Sequence, residues 1–405
     1  MESTAAGAVR KVTLVVRGVL DWRTIKTARS LTEAGFAVSI LVATHFSAEW
    51  NHEPFAVRYI MPVEVRPSLL PWRPARVFSN LVFKRLTTRM RSARWGVFGE
   101  RLIEAELSVE EPDIVYAINA DVLEACGNYA KAKGVPLIYE AYEYWPDHSK
   151  ETVLRATSAQ RVALRAAERA CIREATLVIT VSDSIAKAYQ KEYQLEQTPE
   201  VIYNAPRNHR LEAQPVHDPL KLLFLGNLQA ERNVQLMLEA AARVPEVDMT
   251  FLGFGDLAQH LRAEARRFGA SERIRVLAPV PPDELIDAAS AYDVGIVAHS
   301  GQNQQMQGAL PNKFFEYLAA GLAVVAVTTE AFQSFPELES CAILLSEPSV
   351  EQLCDALRSL SEQPQKVLTL KRGAVELAKR YCGDVQTIRL QQVVISALGQ
   401  PSETA

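Results

Sequence analysis

Residues 310–325 combine a tight loop, a short helix and a buried strand in a pattern that suits nucleotide binding. Asn312 is expected to be the N-cap after Pro311, and Gly321 suits the helix exit. The N–H groups and partial positive charge of a helix N-terminus bind phosphate. Glu316, four residues after the expected cap, can accept hydrogen bonds from a ribose diol. The pattern predicts a nucleotide site, although an amphipathic helix that merely covers a strand explains it equally well.

A second candidate phosphate contact follows the apolar run 223–225, where the chain turns through Gly226 and Asn227. A residue without a side chain lets a ligand approach the backbone closely. Arg232 is expected at the start of the next helix, and its guanidinium group suits a diphosphate. The alternative is an exposed ion pair between Arg232 and Glu231.

Polar side chains also follow two predicted strands in the first half of the chain. Asn119 and Asp121 come after one strand, and Tyr142 and Glu143 come after the next. The carboxyl ends of parallel strands meet at one edge of a sheet, which is where doubly wound proteins bind ligands. Asp121 fits either a helix cap or a contact to an acceptor.

Short β-branched runs alternate with helical segments, which predicts parallel α/β sheets. The expected strands are 11–17, 37–42, 113–117, 137–140, 177–181, 201–203, 221–225, 248–252, 274–277, 294–297, 323–327 and 342–345. The expected helices include 23–34, 121–133, 152–174, 183–192, 350–361, 365–381 and 386–398. Asp21 and Ser182 are placed as N-caps of two of these helices.

Composition limits the classes of protein that fit. A chain of 405 residues exceeds the usual size of one hydrophobic core, so two domains are expected. The formal net charge of -4 excludes a nucleic-acid binder driven by overall charge. No apolar run approaches the length of a membrane span, and residues 1–10 resemble no signal peptide. Five scattered cysteines predict buried free thiols, and hence a cytoplasmic protein.

Several motifs follow one another in a characteristic order along nearly the whole chain. They are Asp21-Trp22-Arg23, Tyr139-Glu140-Ala141-Tyr142-Glu143, Val181-Ser182, Asn204-Ala205-Pro206, Gly226-Asn227-Leu228 with Arg232, Gly253-Phe254-Gly255, Ala291-Tyr292-Asp293-Val294-Gly295 and the stretch 310–325. In this combination the chain resembles the family-4 glycosyltransferases of the GT-B fold. The resemblance implies an α/β protein with two Rossmann-like, doubly wound domains facing a central cleft. It also implies retaining transfer of a sugar from a nucleotide-diphosphate donor.

The resemblance also implies a division of the chain. Residues 1–203 would form the acceptor-binding domain and 220–383 the donor-binding domain. The polar, proline-bearing stretch 204–219 would be the linker. The C-terminal helix, about 384–405, would pack back on the first domain.

By the same resemblance, one set of residues binds the donor and another serves the acceptor and the chemistry. The donor set is Gly18, Gly226, Asn227, Arg232, Gly253, Val280, Leu310, Pro311, Asn312, Lys313 and Glu316. The catalytic set is Glu143, Tyr142, Asn119 and Asp121, with Glu143 as the best candidate for a carboxylate on that side. For Gly253, a strand-to-helix turn without a ligand is the alternative. For Lys313, a solvated helix residue is the alternative.

Three positions depart from the family pattern. Asn227 stands where many members have arginine, and Gly308 stands where the first of two glutamates is usual. Tyr142 stands where histidine is frequent, and because a phenol stays neutral near pH 7, the role of a charged imidazole is excluded there. No Asp-x-Asp occurs, which agrees with the metal-independent chemistry that the resemblance implies; no cofactor is expected.

Residues 71–101 contain eight basic residues and one acidic residue, with aromatic residues between them. An amphipathic helix of this kind can lie in a membrane interface. The expected partners are therefore a nucleotide-sugar donor, a glycan, lipid-linked or anionic acceptor, and a peripheral membrane surface on the cytoplasmic side. A solvated basic face is the alternative. A non-catalytic nucleotide-sugar-binding relative and another GT-B enzyme, such as a nucleotide-sugar epimerase, remain alternative functions.

Overall fold

The computed structural model describes residues 9–18, 20–43, 53–60, 99–147, 158–299, 301 and 303–399. It divides into two compact units. The first unit comprises Met1–Thr180, Tyr189–Glu200 and Thr387–Ala405, and the second comprises Val181–Ala188 and Val201–Gln386. The basic segment 71–101 lies outside the described residues apart from its last three positions, which are helical.

The described part of the first unit is organised around a seven-stranded sheet in the order β3-β2-β1-β4-β5-β6-β7. Its strands are β1 (Lys11–Val16), β2 (Ala37–Val42), β3 (Ala56–Tyr59), β4 (Ile114–Ile118), β5 (Leu137–Glu140), β6 (Leu177–Thr180) and β7 (Glu200–Val201). Strands β1 to β6 pair in parallel. Strand β4 is buried along its whole length, as a central strand covered on both faces should be. The edge strand β3 was not predicted, because its alternating exposure and Arg58 give it no apolar run.

Helices cover this sheet, and a helix from the end of the chain joins them. They are α1 (Trp22–Glu33), α2 (99–110), α3 (Ala120–Lys133), α4 (Ser158–Ile172), α5 (Asp183–Tyr193) and α14 (Gly383–Ala397), of which α5 and α14 begin in the second unit, with residues 183–188 and 383–386. Asp21 caps α1 as predicted, since its Oδ1 accepts the N–H of Thr24 at 2.8 Å. Ser30 on α1 bonds to α14 twice, at 3.2 Å to the carbonyl of Thr387 and at 2.9 Å from the amide of Gln391.

The described part of the second unit has a six-stranded parallel sheet in the order β10-β9-β8-β11-β12-β13. Its strands are β8 (Leu220–Leu225), β9 (Val247–Leu252), β10 (Ile274–Leu277), β11 (Val294–Val297), β12 (Ala323–Val327) and β13 (Ala342–Leu345). Its helices are α6 (Val234–Arg243), α7 (Ala258–Arg267), α8 (Leu285–Ala289), α9 (Gln304–Gly308), α10 (Asn312–Ala320), α11 (Glu330–Ser334), α12 (Val350–Ser361) and α13 (Pro364–Tyr381).

Side chains of β8 alternate between two apolar clusters, one on each face of this sheet. Leu222 and Phe224 belong to the cluster that includes α6 and α12 residues, and Leu223 and Leu225 belong to the cluster that includes α10 and α13 residues. This alternation is the period-two pattern of a strand buried on both faces. It explains why the strands of this unit were predicted closely from their apolar runs.

The strand order reverses between β1 and β4 in one sheet and between β8 and β11 in the other. Such a switch point leaves a crevice at the carboxyl ends of the strands, where doubly wound proteins bind ligands. In the second unit, Tyr317 of α10 fills the base of that crevice. Its hydroxyl accepts the N–H of Leu225 at 3.0 Å and lies 3.2 and 3.3 Å from the carbonyl oxygens of Leu223 and Ile296. Any side chain on Gly295 would overlap the ring.

All five cysteines are buried free thiols, as predicted. Among the helices that the structure describes, none combines the length and apolarity that crossing a membrane requires.

Candidate functional site

The loops after β8 and β9 pack against each other without room for side chains. Gly226 donates its N–H to the carbonyl of Leu252 at 3.0 Å. A Cβ on Gly253 would overlap the carbonyl oxygen of Gly226, and one on Gly255 would overlap the backbone of Leu228. Backbone packing is thus enough to require both glycines of the Gly-Phe-Gly motif, whether or not a ligand binds beside them.

Lys313, in the first turn of α10, places its ammonium group over the loop that follows β8. Nζ lies 3.8 Å from the centre of the Phe224 ring and 3.7 Å from the position of a Cβ on Gly226. A Cβ there would make only ordinary van der Waals contact with the ammonium group, so it is the φ of +110° that favours glycine at position 226. Burial, together with the charge of Arg232, lowers the pKa of Lys313 to about 7, and Glu316 opposes this shift.

Arg232 ends a 3-10 turn, Ala230–Arg232, rather than beginning a helix as predicted. Asn233 follows in the left-handed conformation, with a φ of +54°, and α6 begins one residue later. The side-chain Nδ2 of Asn233 donates to the carbonyl of Ala298 at 2.6 Å, which connects this turn to the end of β11. The turn brings the guanidinium charge of Arg232 within electrostatic reach of Lys313.

His299 follows β11 and belongs to the same group, although sequence reasoning missed it. Its side chain is buried, and burial lowers its pKa to about 4, with Arg232 and Lys313 acting in the same direction. The imidazole is therefore neutral at pH 7. The available signal was its place two residues after the predicted strand 294–297, at the edge where the ligand was expected.

The N-terminus of α10 differs from the prediction. The helix begins at Asn312 itself, the cap residue is Pro311, and no side chain caps it. Pro311 is extended, with a φ of -71° and a ψ of 145°, so it enters the helix in the conformation of a cap and moves Asn312 into the first turn. Gly321 ends the helix in the left-handed conformation, as predicted. Glu316, half-buried one turn into α10, interacts electrostatically with Lys313.

The missing carboxylate at Gly308 has a local steric reason. The carbonyl of Gly308 accepts a hydrogen bond from the hydroxyl of Ser182. A Cβ at this position would lie 2.6 Å from Cδ1 of Ile185. Ser182 also caps α5 as predicted, since it accepts the N–H of Ile185 at 3.2 Å. A glutamate at position 308 would displace this packing.

The remaining donor candidates line the same edge of the second unit's sheet or pack beneath it. Asn227, which stands where many family members have arginine, has a buried Oδ1 that finds no hydrogen-bond partner in the described part of the chain. Leu310 is buried and Val280 is partly buried, and both pack in the apolar cluster under α10. Gly18 is different, because it lies in the first unit, two residues after β1, with a φ of +93°.

The first unit contains a buried polar network that sequence reasoning missed. Glu140, at the end of β5, is almost fully buried and accepts two bonds from Arg23, at 2.9 and 3.2 Å. Tyr116 donates to its other oxygen at 2.8 Å. The guanidinium of Arg23 also stacks on the ring of Tyr142 at 4.4 Å, and the Tyr142 hydroxyl is hydrogen-bonded to Thr24 at 3.2 Å. Tyr142, the third departure, is thus held between α1 and β5.

Asn119 and Asp121 take different positions beside this network. Asn119 has a φ of +69°, and its Oδ1 accepts the N–H of Tyr142 at 3.0 Å. Asp121 lies inside the first turn of α3, which begins at Ala120, so of its two possible roles the helix cap is excluded and the acceptor contact stays a prediction. Burial raises the pKa of Asp121 to about 6. The positive charge of Arg17 acts to lower this pKa, and the negative charge of Glu143 acts to raise it.

The structure therefore brings the predicted residues together in two separate groups. Asn119, Asp121, Tyr142 and Glu143 meet at the carboxyl edge of the first unit's sheet. The second unit gathers Arg232, Lys313, Glu316 and the unpredicted His299. Within the described ranges, no three His, Cys, Asp or Glu side chains cluster as metal ligands do.

Comparison with known proteins agrees with this architecture. Residues 22–205 match the family model described as "Glycosyltransferase Family 4", and residues 219–363 match "Glycosyl transferases group 1". D-inositol 3-phosphate glycosyltransferase 1 of Catenulispora acidiphila is 25% identical over 195 residues, which are 45% of each chain. The enzyme of Corynebacterium diphtheriae is 26% identical over 206 residues, 48% of this chain and 47% of its own. The matches thus span about half the length of these curated relatives.

Solved structures share the fold at low sequence identity. Anabaena HepE in complex with UDP has a TM-score of 0.71 and 15% identity, with 96% of this chain and 100% of that chain covered. Sucrose-phosphate synthase from Thermosynechococcus elongatus has a TM-score of 0.66 and 15% identity, with 96% and 99% covered. At such identity the likeness concerns the fold alone. The two family models cover consecutive parts of the chain and the sheets have the predicted doubly wound order, so the chain belongs to the family-4 glycosyltransferases of the GT-B fold.

Proposed function

We propose that this protein transfers a sugar from a nucleotide-diphosphate donor to an acceptor hydroxyl, with retention of configuration and without a metal ion. The observation that carries the proposal is the group at the switch point of the second unit. There Lys313 and Arg232 interact electrostatically with each other and with the neutral His299. The carboxylate of Glu316 opposes the lowering of the Lys313 pKa. An arrangement of two cations at the carboxyl edge of a parallel sheet favours an anionic ligand.

The donor diphosphate would lie between the guanidinium of Arg232, the ammonium of Lys313 and the first turn of α10. The N-terminus of α10 has no side-chain cap, so its N–H groups suit a phosphate oxygen. Glu316, one turn further along, would accept hydrogen bonds from the ribose diol. These groups would stabilise the charge that develops on the departing diphosphate, the role that a metal ion fills in other enzymes.

In the transfer step, the bond between the anomeric carbon and the diphosphate oxygen breaks. A new bond forms between that carbon and the acceptor oxygen, on the same face of the sugar. The acceptor proton passes to the departing phosphate, so the step needs no separate protein base. Glu143 and Asp121, at the edge of the first unit's sheet, would then bind acceptor hydroxyls as hydrogen-bond acceptors.

Uridine nucleotides are the first donors to test, because Anabaena HepE, which shares the fold, has been solved in complex with UDP and with UDP-glucose. For the acceptor we propose a polyhydroxyl compound such as a glycan, whether free, lipid-linked or anionic. A cytoplasmic location, with peripheral membrane contact through 71–101, remains part of the proposal.

Calorimetric titration of UDP, GDP, ADP and their glucose conjugates tests the donor site. We expect one base family to bind wild type and to lose affinity in Glu316→Ala, with Glu316→Gln in between because an amide oxygen still accepts one hydrogen bond. Lys366→Ala is the matched control, since Lys366 is an exposed lysine of the same unit on α13. Failure of every nucleotide to bind wild type would contradict the proposed function.

A further inference from the structure

The first unit contains a second buried carboxylate, on α4, that the proposed reaction does not use. Glu168 is completely buried and accepts hydrogen bonds from three phenols. Tyr139 and Tyr189 lie 2.6 and 3.0 Å from Oε1, and Tyr193 donates to Oε2. Its pKa is raised by burial, and the three phenol hydrogen bonds counter that shift. A buried carboxylate is costly unless its oxygens are bonded in this way, so the cluster holds its members in one arrangement.

One member of this cluster reaches beyond it. The hydroxyl of Tyr189 accepts the N–H of Trp145 at 3.2 Å and lies 2.9 Å from the carbonyl oxygen of Glu143. Its ring packs edge-on against Tyr144 at 5.2 Å between centres. A single phenol therefore touches three consecutive residues after β5, the strand whose following residues supply Glu143 and Tyr142.

The same segment is held on its other side by Asn119. Its Oδ1 accepts the N–H of Tyr142 at 3.0 Å and lies 3.5 Å from the indole nitrogen of Trp145. Residues 142–145 thus bond to the end of β4 through Asn119 and to α4 and α5 through Glu168 and Tyr189. This gives an irregular segment fixed contacts on both sides.

We propose that Tyr189, oriented by Glu168, is a positioning residue that fixes the segment 142–145 and, through it, the carboxylate of Glu143 toward the acceptor. The proposal deepens the proposed function and rests on it for the role of Glu143. Tyr189 itself touches no substrate. Its hydroxyl proton is shared between Glu168 and the Glu143 carbonyl, and its oxygen accepts the Trp145 N–H. Removing the hydroxyl breaks all three bonds while leaving the ring in place.

The chain offers a matched control in Tyr193. It is a buried tyrosine of the same helix that also donates to Glu168 and stacks near Tyr189, with 5.9 Å between ring centres. Tyr189→Phe and Tyr193→Phe each remove one hydroxyl and one bond to Glu168. Only Tyr189→Phe removes bonds to the segment 142–145. A role in stability alone affects both variants alike, whereas a positioning role separates them.

Hydrogen exchange of the full-length protein, followed on peptides that cover 141–147, measures the segment directly and needs no ligand. We expect Tyr189→Phe to raise exchange there roughly fivefold relative to wild type, the effect of losing one backbone hydrogen bond, while Tyr193→Phe leaves it unchanged. With 5-fluorotryptophan incorporated, the resonance of Trp145, assigned with Trp145→Phe, should move in Tyr189→Phe only. Equal changes in both variants, or a change in neither, overturn the proposal.

Turnover links the segment to the reaction. With the donor that binds wild type, we expect Tyr189→Phe to lower kcat for release of the nucleoside diphosphate roughly tenfold, with an unchanged Kd for that nucleotide and a kcat close to wild type in Tyr193→Phe. Faster hydrogen exchange in Tyr189→Phe together with an unchanged kcat overturns the link to Glu143. If no nucleotide binds wild type, the proposed function fails, and the exchange measurement alone decides whether Tyr189 fixes the segment.

Discussion

The carboxyl edges of the two sheets differ in how their charged side chains are paired. In the first unit, Glu140 is enclosed by Arg23, Tyr116 and Thr27, so a buried charge meets donors supplied by the protein. In the second unit, burial and a neighbouring cation shift the pKa of Lys313 down to about 7. The comparison indicates that the first edge is held in shape by internal pairing, whereas the second edge is the one to which the proposed function assigns an anionic ligand. Five predictions test it.

The largest effect is expected at the first edge. Arg23→Ala leaves the Glu140 carboxylate buried without its cation, and we expect it to lower the free energy of unfolding by about 3–5 kcal/mol. Denaturant unfolding measures this change. Arg207→Ala is the control, because its ion pair with Asp384 is exposed and should contribute less than about 1 kcal/mol. Equal losses in the two variants would show that the first edge is not held by its buried pair.

At the second edge, Lys313→Met removes the ammonium group of a half-buried lysine and keeps a flexible side chain of similar length. We expect nucleoside diphosphate binding to weaken roughly 10- to 100-fold, the effect of losing a hydrogen bond to a charged group. The melting temperature without ligand should hold or rise, because a desolvated cation has gone. A clear drop in that temperature would instead indicate that Lys313 belongs to the stability of the fold.

The glycines of the second edge sharpen the comparison further. Gly253→Ala forces a methyl group into the carbonyl of Gly226, and we expect it to destabilise the unit by about 1–3 kcal/mol. Gly308→Ala meets the side chain of the buried Ile185 rather than a backbone carbonyl, so its cost should be smaller than that of Gly253→Ala. Thermal unfolding of the two variants measures the difference, and the reverse order would contradict the described packing of these loops.

The smallest effect is a dependence of nucleotide affinity on pH. Lys313 has a pKa of about 7 in the free protein, and a bound diphosphate should raise it, so binding takes up a proton. Affinity should therefore fall as pH rises above 7, by at most about tenfold per unit. Calorimetry in two buffers of different ionisation enthalpy counts the proton, and Lys313→Arg should abolish its uptake.

Without ligand, Lys313 should also make the stability of the fold depend on pH, and this dependence has the opposite sign to that of the nucleotide affinity. Because its pKa is lower folded than unfolded, the unfolded chain binds more protons between about pH 7 and the ordinary lysine range. Its contribution to stability should rise with pH across that window. A melting temperature that responds to pH identically in wild type and Lys313→Met would contradict both expectations.

Local signals predicted much of the fold. Strands such as β2, β5, β11 and β12 have the predicted bounds, because continuous apolar runs leave little choice of register. Asp21 and Ser182 were recognised as caps because a cap acts within three residues. The edge strand β3 was not predicted from the sequence, because it is half-exposed and has no continuous apolar run.

The candidate site was predictable in part. Its donor residues could be named through the resemblance to the family, and the structure brings several of them to the carboxyl edge of one doubly wound sheet, where ligands bind. Asn312 failed as a cap because the extended Pro311 took that place, and Arg232 failed as a helix start because a left-handed Asn233 follows it. His299 was missed because a single histidine after a strand has no distinctive pattern until the fold places two cations beside it.

The sequence by itself determined the two parallel sheets, the family and the strand ends that could carry chemistry, because all three depend on local composition and order along the chain. Only the tertiary structure decided which charges meet. Arg23 finds Glu140 across 117 residues, and Tyr189 reaches Trp145 across 44. Desolvation and partner distance set the pKa of Lys313 and the cost of burying Glu168, and both quantities exist only once distant segments pack together.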